Sequence, residues 1–184
     1  LIEADRPGGD CLYRGCVPSK TLIHAARQMH QVRQAGRFGV QVGPPQLDGP
    51  TLIRRLQEVI SQIEPHDSAE RYTTLGVEVI QARARIVDPW TVELQDAQGR
   101  RQLSTRAIVV ATGSRPVWPA WPGLAQVHAV TSDTLWDRLM ALQTIPRRIL
   151  VVGGGAIGCE LSQALARLGE QLTQAEQGPQ LLTP

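Results

Sequence analysis

The sequence has few of the features that mark nucleic-acid-binding, membrane-spanning or secreted proteins. Its formal net charge is only +2, which is too small to indicate a nucleic-acid partner or a membrane surface. It contains no run of about eighteen apolar residues, so we expect no membrane partner within this segment. Three cysteines are too few for a disulfide-rich secreted scaffold, and they favour the reducing cytoplasm as the compartment.

Lysine is almost absent, and no methionine begins the chain. Lys20 is the only lysine among 19 basic residues. A general bias toward arginine explains most of this count, but the exception follows two cysteines, which fits a role that guanidinium cannot fill. Because the chain begins at Leu1, we expect a segment of a longer protein, whose targeting sequences it does not report. Its 184 residues, 42% of them hydrophobic, can bury a core as one domain or two small ones.

Two of the cysteines lie close together in the segment Gly8-Gly9-Asp10-Cys11-Leu12-Tyr13-Arg14-Gly15-Cys16-Val17-Pro18-Ser19-Lys20. Gly15 allows a turn that can bring Cys11 and Cys16 within bonding distance, so a small reducible disulfide can form. Pro18 suits the first turn of a helix, and a helix N-terminus beside Cys16 favours its thiolate. A structural disulfide, half a zinc site and two buried cysteines are the alternatives. Zinc needs about four ligands and no second cluster exists, so we interpret the segment as redox chemistry.

The segment resembles the redox-active signature of the class I pyridine nucleotide-disulfide oxidoreductases. This flavin-dependent family includes dihydrolipoamide dehydrogenase, mercuric reductase and glutathione reductase. The resemblance implies that Cys11 is the interchange thiol that attacks the substrate and that Cys16 is the thiolate against the flavin. Asp10 stands where the family has Thr, and Tyr13 stands where it has Asn. Both departures lie where substrate and flavin contacts are tuned.

Helical and strand patterns follow in order. Helical spacing predicts one helix from Pro18 to about Gly36 and a second through Leu52 to Ile63, with a new start at Asp67 or Ser68 after Pro65. Short β-rich runs predict a small antiparallel meander with a turn at Asp96 to Gly99. Its runs are Val77 to Ile80, Ala84 to Val87 and Thr91 to Leu94. A fully apolar strand is predicted from Arg106 to Ala111, ending at Thr112-Gly113.

The resemblance also assigns residues to FAD. Glu3, at the end of a predicted strand, would accept hydrogen bonds from the adenosine ribose, although the glycine fingerprint that should precede it is not in this sequence. A solvated glutamate at a strand end is the alternative. Ala84 would meet the adenine through its backbone, and Thr112 and Gly113 would place amides near the flavin. The other residues assigned to FAD are Gly9 and Lys20.

A second nucleotide site is predicted where the strand Ile149 to Val152 runs into Gly153-Gly154-Gly155-Ala156-Ile157-Gly158. Gly153 permits the tight turn, Gly155 lets the backbone approach pyrophosphate, and Gly158 lets helix and strand pack closely. Glu176 lies 176 − 158 = 18 residues beyond this fingerprint, near the distance of about 20 expected for an acid that binds the ribose. An acid there repels a 2′-phosphate, which predicts NADH rather than NADPH; a chance surface glutamate is the alternative.

The family pattern places Glu160 near the flavin, paired with Lys20 in a partly desolvated ion pair. An ordinary glutamate on a helix surface is the alternative. With the two cysteines, these residues complete the predicted catalytic set.

Together these features predict an α/β fold with parts of two Rossmann-like, three-layer dinucleotide-binding domains and the small meander. We predict that residues 1–122 form a partial FAD-binding domain without its first βα unit. Residues 123–184 would begin a truncated NAD-binding domain.

The resemblance implies a relay in which NADH reduces the flavin, Cys16 passes the electrons to the disulfide, and Cys11 exchanges with a small thiol, disulfide or metal-thiol substrate. Dihydrolipoamide oxidation runs the same relay backward. Family members are homodimers, and their general base lies in a C-terminal interface domain outside this sequence. We expect the segment alone to be inactive. Mercuric reduction by the parent, or a non-catalytic dinucleotide-binding or redox-sensing module, are the alternatives.

Overall fold

The computed structural model describes residues 1–182 and confirms the α/β class. Strand β1 (Ile2–Glu3) pairs in parallel with β2 (Ile80–Gln81), with Ile2 opposite Ile80. Between these strands in sequence lie the short helix α1 (Gly9–Tyr13) and the long helix α2 (Cys16–Gln34). Helix α2 therefore begins two residues earlier than predicted, at the second cysteine of the signature.

Two further helices follow with the predicted interruption. Helix α3 (Gly49–Ile63) begins where the Asp48 side chain accepts a hydrogen bond from the Thr51 backbone N–H at 3.1 Å. A 3-10 turn at Glu64–Asp67 separates it from α4 (Ala69–Thr74). The Ser68 hydroxyl caps α4 by accepting from the Arg71 N–H, so Ser68 rather than Asp67 is the start of the two that were predicted.

The antiparallel meander comprises β3 (Arg83–Asp88), β4 (Thr91–Asp96) and β5 (Gly99–Ser104). The predicted hairpin turn is confirmed, because Asp96 and Gly99 form the last pair of β4 and β5. The prediction that residues 77–80 start this meander was wrong, since Ile80 pairs with β1 instead. The sequence pattern missed β5 because its residues are mostly polar and exposed.

The predicted strand through residues 106–111 was also wrong. Residues 105–123 form no strand, and Val109 and Val110 are 89% and 66% exposed. A strand is stable only beside a hydrogen-bonded neighbour, and no strand in the part of the chain that the structure describes lies against this run. Ile108 alone packs against the small core beneath the meander.

The last part of the chain forms a βαβ unit. After α5 (Leu135–Leu142), strand β6 (Arg148–Val152), helix α6 (Ala156–Leu168) and strand β7 (Gln171–Ala175) follow. The two strands are parallel, with Ile149 opposite Leu172. The prediction of a buried β6 holds for one face only, because Ile149 packs on the core whereas Leu150 is 63% exposed.

One core joins the two predicted nucleotide-binding parts. Its buried residues come from α2, α3, α5 and α6 and from the segment before β6: Leu22, Ala26, Met29, Leu52, Ile53, Leu56, Trp136, Leu139, Ile145, Ala164, Leu165 and Leu168. A smaller core between β2 and the meander contains Ile80, Ala82, Val92 and Leu94. Among residues 1–182, no helix combines the length and the apolar character that crossing a bilayer requires.

Candidate redox and nucleotide sites

Cys11 and Cys16 form a disulfide, which confirms the predicted pairing; their Cα atoms lie 4.6 Å apart. Cys11 lies in α1 and is exposed, whereas Cys16 is the first residue of α2 and is half-buried. Within residues 1–182, no cluster of three or more His, Cys, Asp or Glu side chains could hold a metal. The described residues therefore present a disulfide between an exposed cysteine and a half-buried cysteine at a helix N-terminus.

A tight turn closes the loop between the two cysteines. The backbone N–H groups of Arg14 and Gly15 both donate to the Asp10 carbonyl, at 2.9 and 2.5 Å. A Cβ atom on Gly15 would lie 3.1 Å from that same oxygen, so the turn leaves little room for a side chain here. Gly15 thus has the role that its position in the sequence predicts.

Charged side chains surround this loop. The Arg14 guanidinium lies 4.0 Å from the Asp5 carboxylate and 3.8 Å from the Asp10 carboxylate. These contacts are partly exposed, and such pairs stabilise a fold only slightly. The guanidinium carbon of Arg6 lies 3.4 Å from the centre of the Tyr13 ring, in a cation–π contact.

Tyr13 joins the loop to the end of α3. Its hydroxyl donates a hydrogen bond of 2.8 Å to the Glu64 carboxylate. Burial raises the pKa of Tyr13 to about 12; the hydrogen bond to Glu64 and the charge of Glu64 add to the rise, and the nearby Arg6 charge opposes it. The phenol therefore stays protonated, as a donor, throughout the neutral range.

Trp136 holds the next residue of the loop. Its indole N–H donates to the Arg14 carbonyl at 2.6 Å, and its side chain is buried in the main core. Sequence analysis missed both Glu64 and Trp136, because they lie 51 and 122 residues from their partners. The only local signal was Tyr13 itself, which departs from the family pattern.

Three of the residues predicted to bind FAD lie near α1. Glu3 ends β1, and its carboxylate accepts from the Asp5 N–H at 2.8 Å. Gly113 has a φ of +69°, and a Cβ atom there would lie 2.9 Å from the Asp10 carboxylate, which places Gly113 beside the signature. Gly9 is exposed, with no atom within 4 Å of its Cβ position. Thr112, which precedes Gly113, is exposed, so this side of α1 leaves room for a cofactor. Ala84 lies on β3 opposite Leu94.

Lys20 and Glu160 lie on neighbouring helices. Ile23 and Ala26 of α2 line one cleft with Glu160 of α6, and Arg33, farther along α2, donates to the Arg167 carbonyl at 2.5 Å. The two helices therefore run in the same direction, with their N-terminal ends together. The predicted ion pair was wrong: none of the ion pairs of residues 1–182 joins Lys20 and Glu160, and both side chains are exposed. Hydration of exposed charges leaves little to gain from pairing.

The glycine fingerprint adopts the geometry of a dinucleotide-binding turn. Gly153 has a φ of +114°, and a Cβ atom on Gly158 would collide with the Gly153 carbonyl oxygen. Gly155 begins α6 without a side-chain cap, and no atom lies within 4 Å of its Cβ position. Open space thus faces the uncapped N–H groups of α6, which fits a pyrophosphate.

Glu176 borders the same turn. Its carboxylate accepts from the Gly178 N–H at 2.9 Å and from the Gly154 N–H. These two hydrogen bonds, that of Gly178 first, lower the pKa of Glu176. Two more side chains hold the turn: Gln174 donates to the Gly153 carbonyl at 2.9 Å, and the Cys159 thiol donates to the Gly154 carbonyl at 3.3 Å. An ionised acid therefore lies where the ribose of a dinucleotide is expected.

Comparison with known proteins agrees with this geometry. Mercuric reductase from Streptomyces lividans is 37% identical over 182 residues, and the match covers 95% of this chain and 36% of the relative. Dihydrolipoyl dehydrogenase 2 from Haloarcula marismortui is 36% identical, covering 96% and 37%. Glutathione reductase from Nostoc sp. is 32% identical, covering 99% and 37%. The chain thus spans little more than a third of the curated relatives it matches.

Comparison with solved structures also finds a flavoprotein disulfide reductase. The Cu(II) complex of the HOCl-induced flavoprotein disulfide reductase RclA from Escherichia coli matches with a TM-score of 0.75 at 25% identity, over 99% of this chain and 37% of that one. The family described as pyridine nucleotide-disulphide oxidoreductase matches residues 1–184. The chain therefore belongs to the pyridine nucleotide-disulphide oxidoreductase family.

Proposed function

We propose that the full-length protein is an FAD-dependent NAD(P)H:disulfide oxidoreductase of the dihydrolipoamide dehydrogenase type. Electrons would pass between NADH and a small dithiol or disulfide by way of Cys11 and Cys16. The observation that supports this most is the disulfide itself, with Cys11 exposed and Cys16 at the N-terminus of α2. The names of the three relatives agree on redox chemistry and differ in the substrate.

The two sulfurs have different surroundings, which supports different roles. Cys16 is the first residue of α2, and no side chain caps this helix end. The free N–H groups and the helix dipole favour the thiolate of Cys16 once the disulfide is reduced. Cys11 is exposed and can be reached by a second molecule. Cys16 is therefore the sulfur on the cofactor side, and Cys11 is the sulfur that meets the substrate.

The exchange balances with these two residues. Two electrons and two protons convert the disulfide to two thiols, and bound FAD supplies the two-electron carrier between the nicotinamide and the disulfide. The Cys11 thiolate attacks a small disulfide, which forms a mixed disulfide and releases one thiol. The Cys16 thiolate then attacks Cys11, which restores the original bond and releases the second thiol. Dihydrolipoamide oxidation is the reverse sequence.

For the nucleotide we propose NADH in preference to NADPH. Glu176 is ionised at neutral pH as any ordinary glutamate is, and the Gly178 and Gly154 hydrogen bonds lower its pKa further. A carboxylate accepts hydrogen bonds from a 2′-hydroxyl and repels a 2′-phosphate. The residues that follow it, Gln177-Gly178-Pro179, contain no cation to offset this repulsion. The turn of Gly153, Gly155 and Gly158 would hold the pyrophosphate.

The remaining assignments also belong to this proposal. Residues 1–122 would bind FAD through Glu3, Gly9, Ala84, Thr112 and Gly113, and residues 123–184 would begin the NAD-binding domain. Lys20 and Glu160 would lie on the flavin side of the disulfide, where their helices run together. We further propose a cytoplasmic homodimer, as is usual for the family.

NADH-dependent thiol formation in the full-length protein tests the function. Thiols are blocked after NADH addition without oxygen, and the mass of the peptide that spans the signature is measured. We expect Cys11 and Cys16 to become labelled, and we expect Cys16→Ser to abolish NADH-dependent turnover of added disulfide. A disulfide that dithiothreitol reduces and NADH leaves intact would overturn the proposal.

A substrate panel then separates the candidates for the substrate. We expect NADH-linked turnover with lipoamide to exceed that with glutathione disulfide. Mercuric reduction is the second candidate, because a mercuric reductase is among the relatives. If NADH oxidation is faster with a Hg(II)–thiol complex than with lipoamide, mercuric reduction replaces lipoamide turnover as the proposed reaction.

A further inference from the structure

The loop between the two cysteines is held from two sides by side chains distant in sequence. The Tyr13 hydroxyl donates to Glu64 at 2.8 Å, and the Arg14 carbonyl accepts from the Trp136 indole at 2.6 Å. Glu64 follows α3, and Trp136 lies in α5. We call these two hydrogen bonds, made by adjacent residues of the loop, the loop clamp.

We propose that Tyr13, Glu64 and Trp136 are positioning residues, and that the loop clamp sets how readily the Cys11–Cys16 disulfide opens. This inference rests on the proposed function, because it concerns the same disulfide. None of the three residues is bonded to a sulfur or has a place in the proposed exchange. The clamp acts through the backbone of the loop that joins the two cysteines.

The supports of the clamp are rigid. Trp136 is 3% exposed and belongs to the main core, so its N–H is fixed by packing on every side. The Arg6 guanidinium carbon lies 3.4 Å from the centre of the Tyr13 ring, which restricts movement of the ring. A shorter asparagine at position 13, the residue usual in the family, could not span the same distance. Tyr13 thus supplies a tether that an asparagine at this position would not.

The direction of the effect follows from chain entropy. Reduction by glutathione converts the disulfide and two glutathione molecules to two thiols and one glutathione disulfide. A clamped loop keeps the two thiols close after reduction, so their effective concentration stays high and the disulfide re-forms readily. A loop without the clamp samples more conformations, and ordering it again opposes closure. Loss of either hydrogen bond should therefore shift the equilibrium toward the dithiol.

To test this, the oxidised full-length protein is equilibrated in buffers with graded ratios of glutathione to glutathione disulfide, quenched with acid, and its thiols are counted by mass spectrometry. The midpoint is the buffer composition at which half of the Cys11–Cys16 disulfide is reduced. Tyr13→Phe and Trp136→Phe each remove one hydrogen bond and keep an aromatic ring. We expect each to shift the midpoint about three- to tenfold toward the dithiol, which is about the cost of ordering one loop residue. The matched controls are Tyr72→Phe and Trp90→Phe, at a second tyrosine and an exposed tryptophan away from the loop.

A third variant keeps the test decisive if Trp136→Phe disturbs the core. Glu64→Ala removes the acceptor of Tyr13 and leaves the main core unchanged. It should shift the midpoint as Tyr13→Phe does, and the double variant should shift no further, because both changes remove one hydrogen bond. Midpoints of Tyr13→Phe and Glu64→Ala equal to those of the wild-type protein and Tyr72→Phe would overturn the inference.

This measurement needs no nicotinamide. A wild-type disulfide that NADH cannot reduce would refute the proposed function and leave the glutathione midpoints to be compared. Variants that match the wild-type midpoint, in a protein whose disulfide NADH does reduce, would refute the loop clamp alone.

Discussion

The Glu176 carboxylate accepts a hydrogen bond from the Gly154 backbone N–H, so the end of β7 is joined to the turn between β6 and α6. The same carboxylate accepts from Gly178. A Cβ atom on Gly154 would lie 2.7 Å from this carboxylate, so the close approach depends on glycine. The acid is thereby oriented by backbone groups before any nucleotide arrives.

Glu176→Arg is expected to reverse the nucleotide preference. The change removes the charge that repels a 2′-phosphate and supplies a guanidinium that can pair with it. The ratio of kcat/KM for NADPH to that for NADH should rise by about tenfold or more, the size of one charge-assisted hydrogen bond. Steady-state rates measure it, with Glu78→Arg as the control at an exposed glutamate outside the site. An unchanged ratio in Glu176→Arg would count against the assignment of this acid to the ribose.

Alanine substitutions at two glycines of the fingerprint should distinguish an effect on stability from an effect on NADH binding. Gly158→Ala places a Cβ atom against the Gly153 carbonyl oxygen and should lower the free energy of unfolding by about 1–3 kcal/mol, as overpacking does. Gly155→Ala meets no atom within 4 Å and should change that free energy by less than about 1 kcal/mol.

NADH binding should be impaired in Gly155→Ala, although the stability of this variant is nearly normal. If pyrophosphate approaches the backbone there, Gly155→Ala must weaken NADH binding despite normal stability. Urea unfolding and fluorescence titration with NADH provide the two readings. Full NADH affinity in Gly155→Ala would contradict the placement of the pyrophosphate.

Tyr13 should make stability depend on pH above 10. The pKa of the phenol is about 12 in the folded protein, and its ordinary value is about 10. The unfolded chain therefore loses this proton first, so the stabilisation is complete below pH 10 and is lost as pH rises toward 12. In Tyr13→Phe, urea unfolding should show a smaller loss of stability across this window.

Glu64→Ala should bring the pKa of Tyr13 in the folded protein closer to its ordinary value, because it removes the hydrogen bond and the charge that hold the phenol protonated. The pH range over which stability is lost should therefore become narrower. Absorbance of the phenolate follows the titration directly. Identical pH slopes in the wild-type protein and Tyr13→Phe would disprove the contribution of Tyr13.

Leu22→Ala tests the core that α2 shares with α6. Leu22 is fully buried, and truncation of a buried leucine lowers the free energy of unfolding by about 2–5 kcal/mol. Leu75→Ala, at a side chain that is 59% exposed, is the control and should have little effect. Chemical denaturation measures both. Equal midpoints for the two variants would mean that α2 does not pack as described.

Local signals in the sequence were enough to predict some of the helices and turns. Helix α2 follows from its apolar spacing and from Pro18, and the turn of the fingerprint follows from its glycines, because both depend on neighbours within a few residues. Residues 106–111 have the composition of a strand, yet strand formation depends on a partner elsewhere in the chain. The change of partner at Ile80, from the meander to β1, has the same cause.

The candidate site divides in the same way. The pairing of Cys11 with Cys16 and the position of Glu176 beside the fingerprint were predictable, because short spacings and one βαβ unit determine them. The contacts of Tyr13 and Arg14 depend on how α3 and α5 pack against α1, and no pattern in the sequence encodes that packing. The absent ion pair of Lys20 and Glu160 depends on solvation, which spacing does not report.

The common interior of α2, α3, α5 and α6 has a consequence for the connection at residues 105–123. That stretch forms no strand. It links the range that contains α2 and α3 to the range that contains α5 and α6, and these four helices pack in one core. A single protease cut there would leave two pieces that stay associated and elute together from a sizing column. Heat would melt them in one transition rather than two.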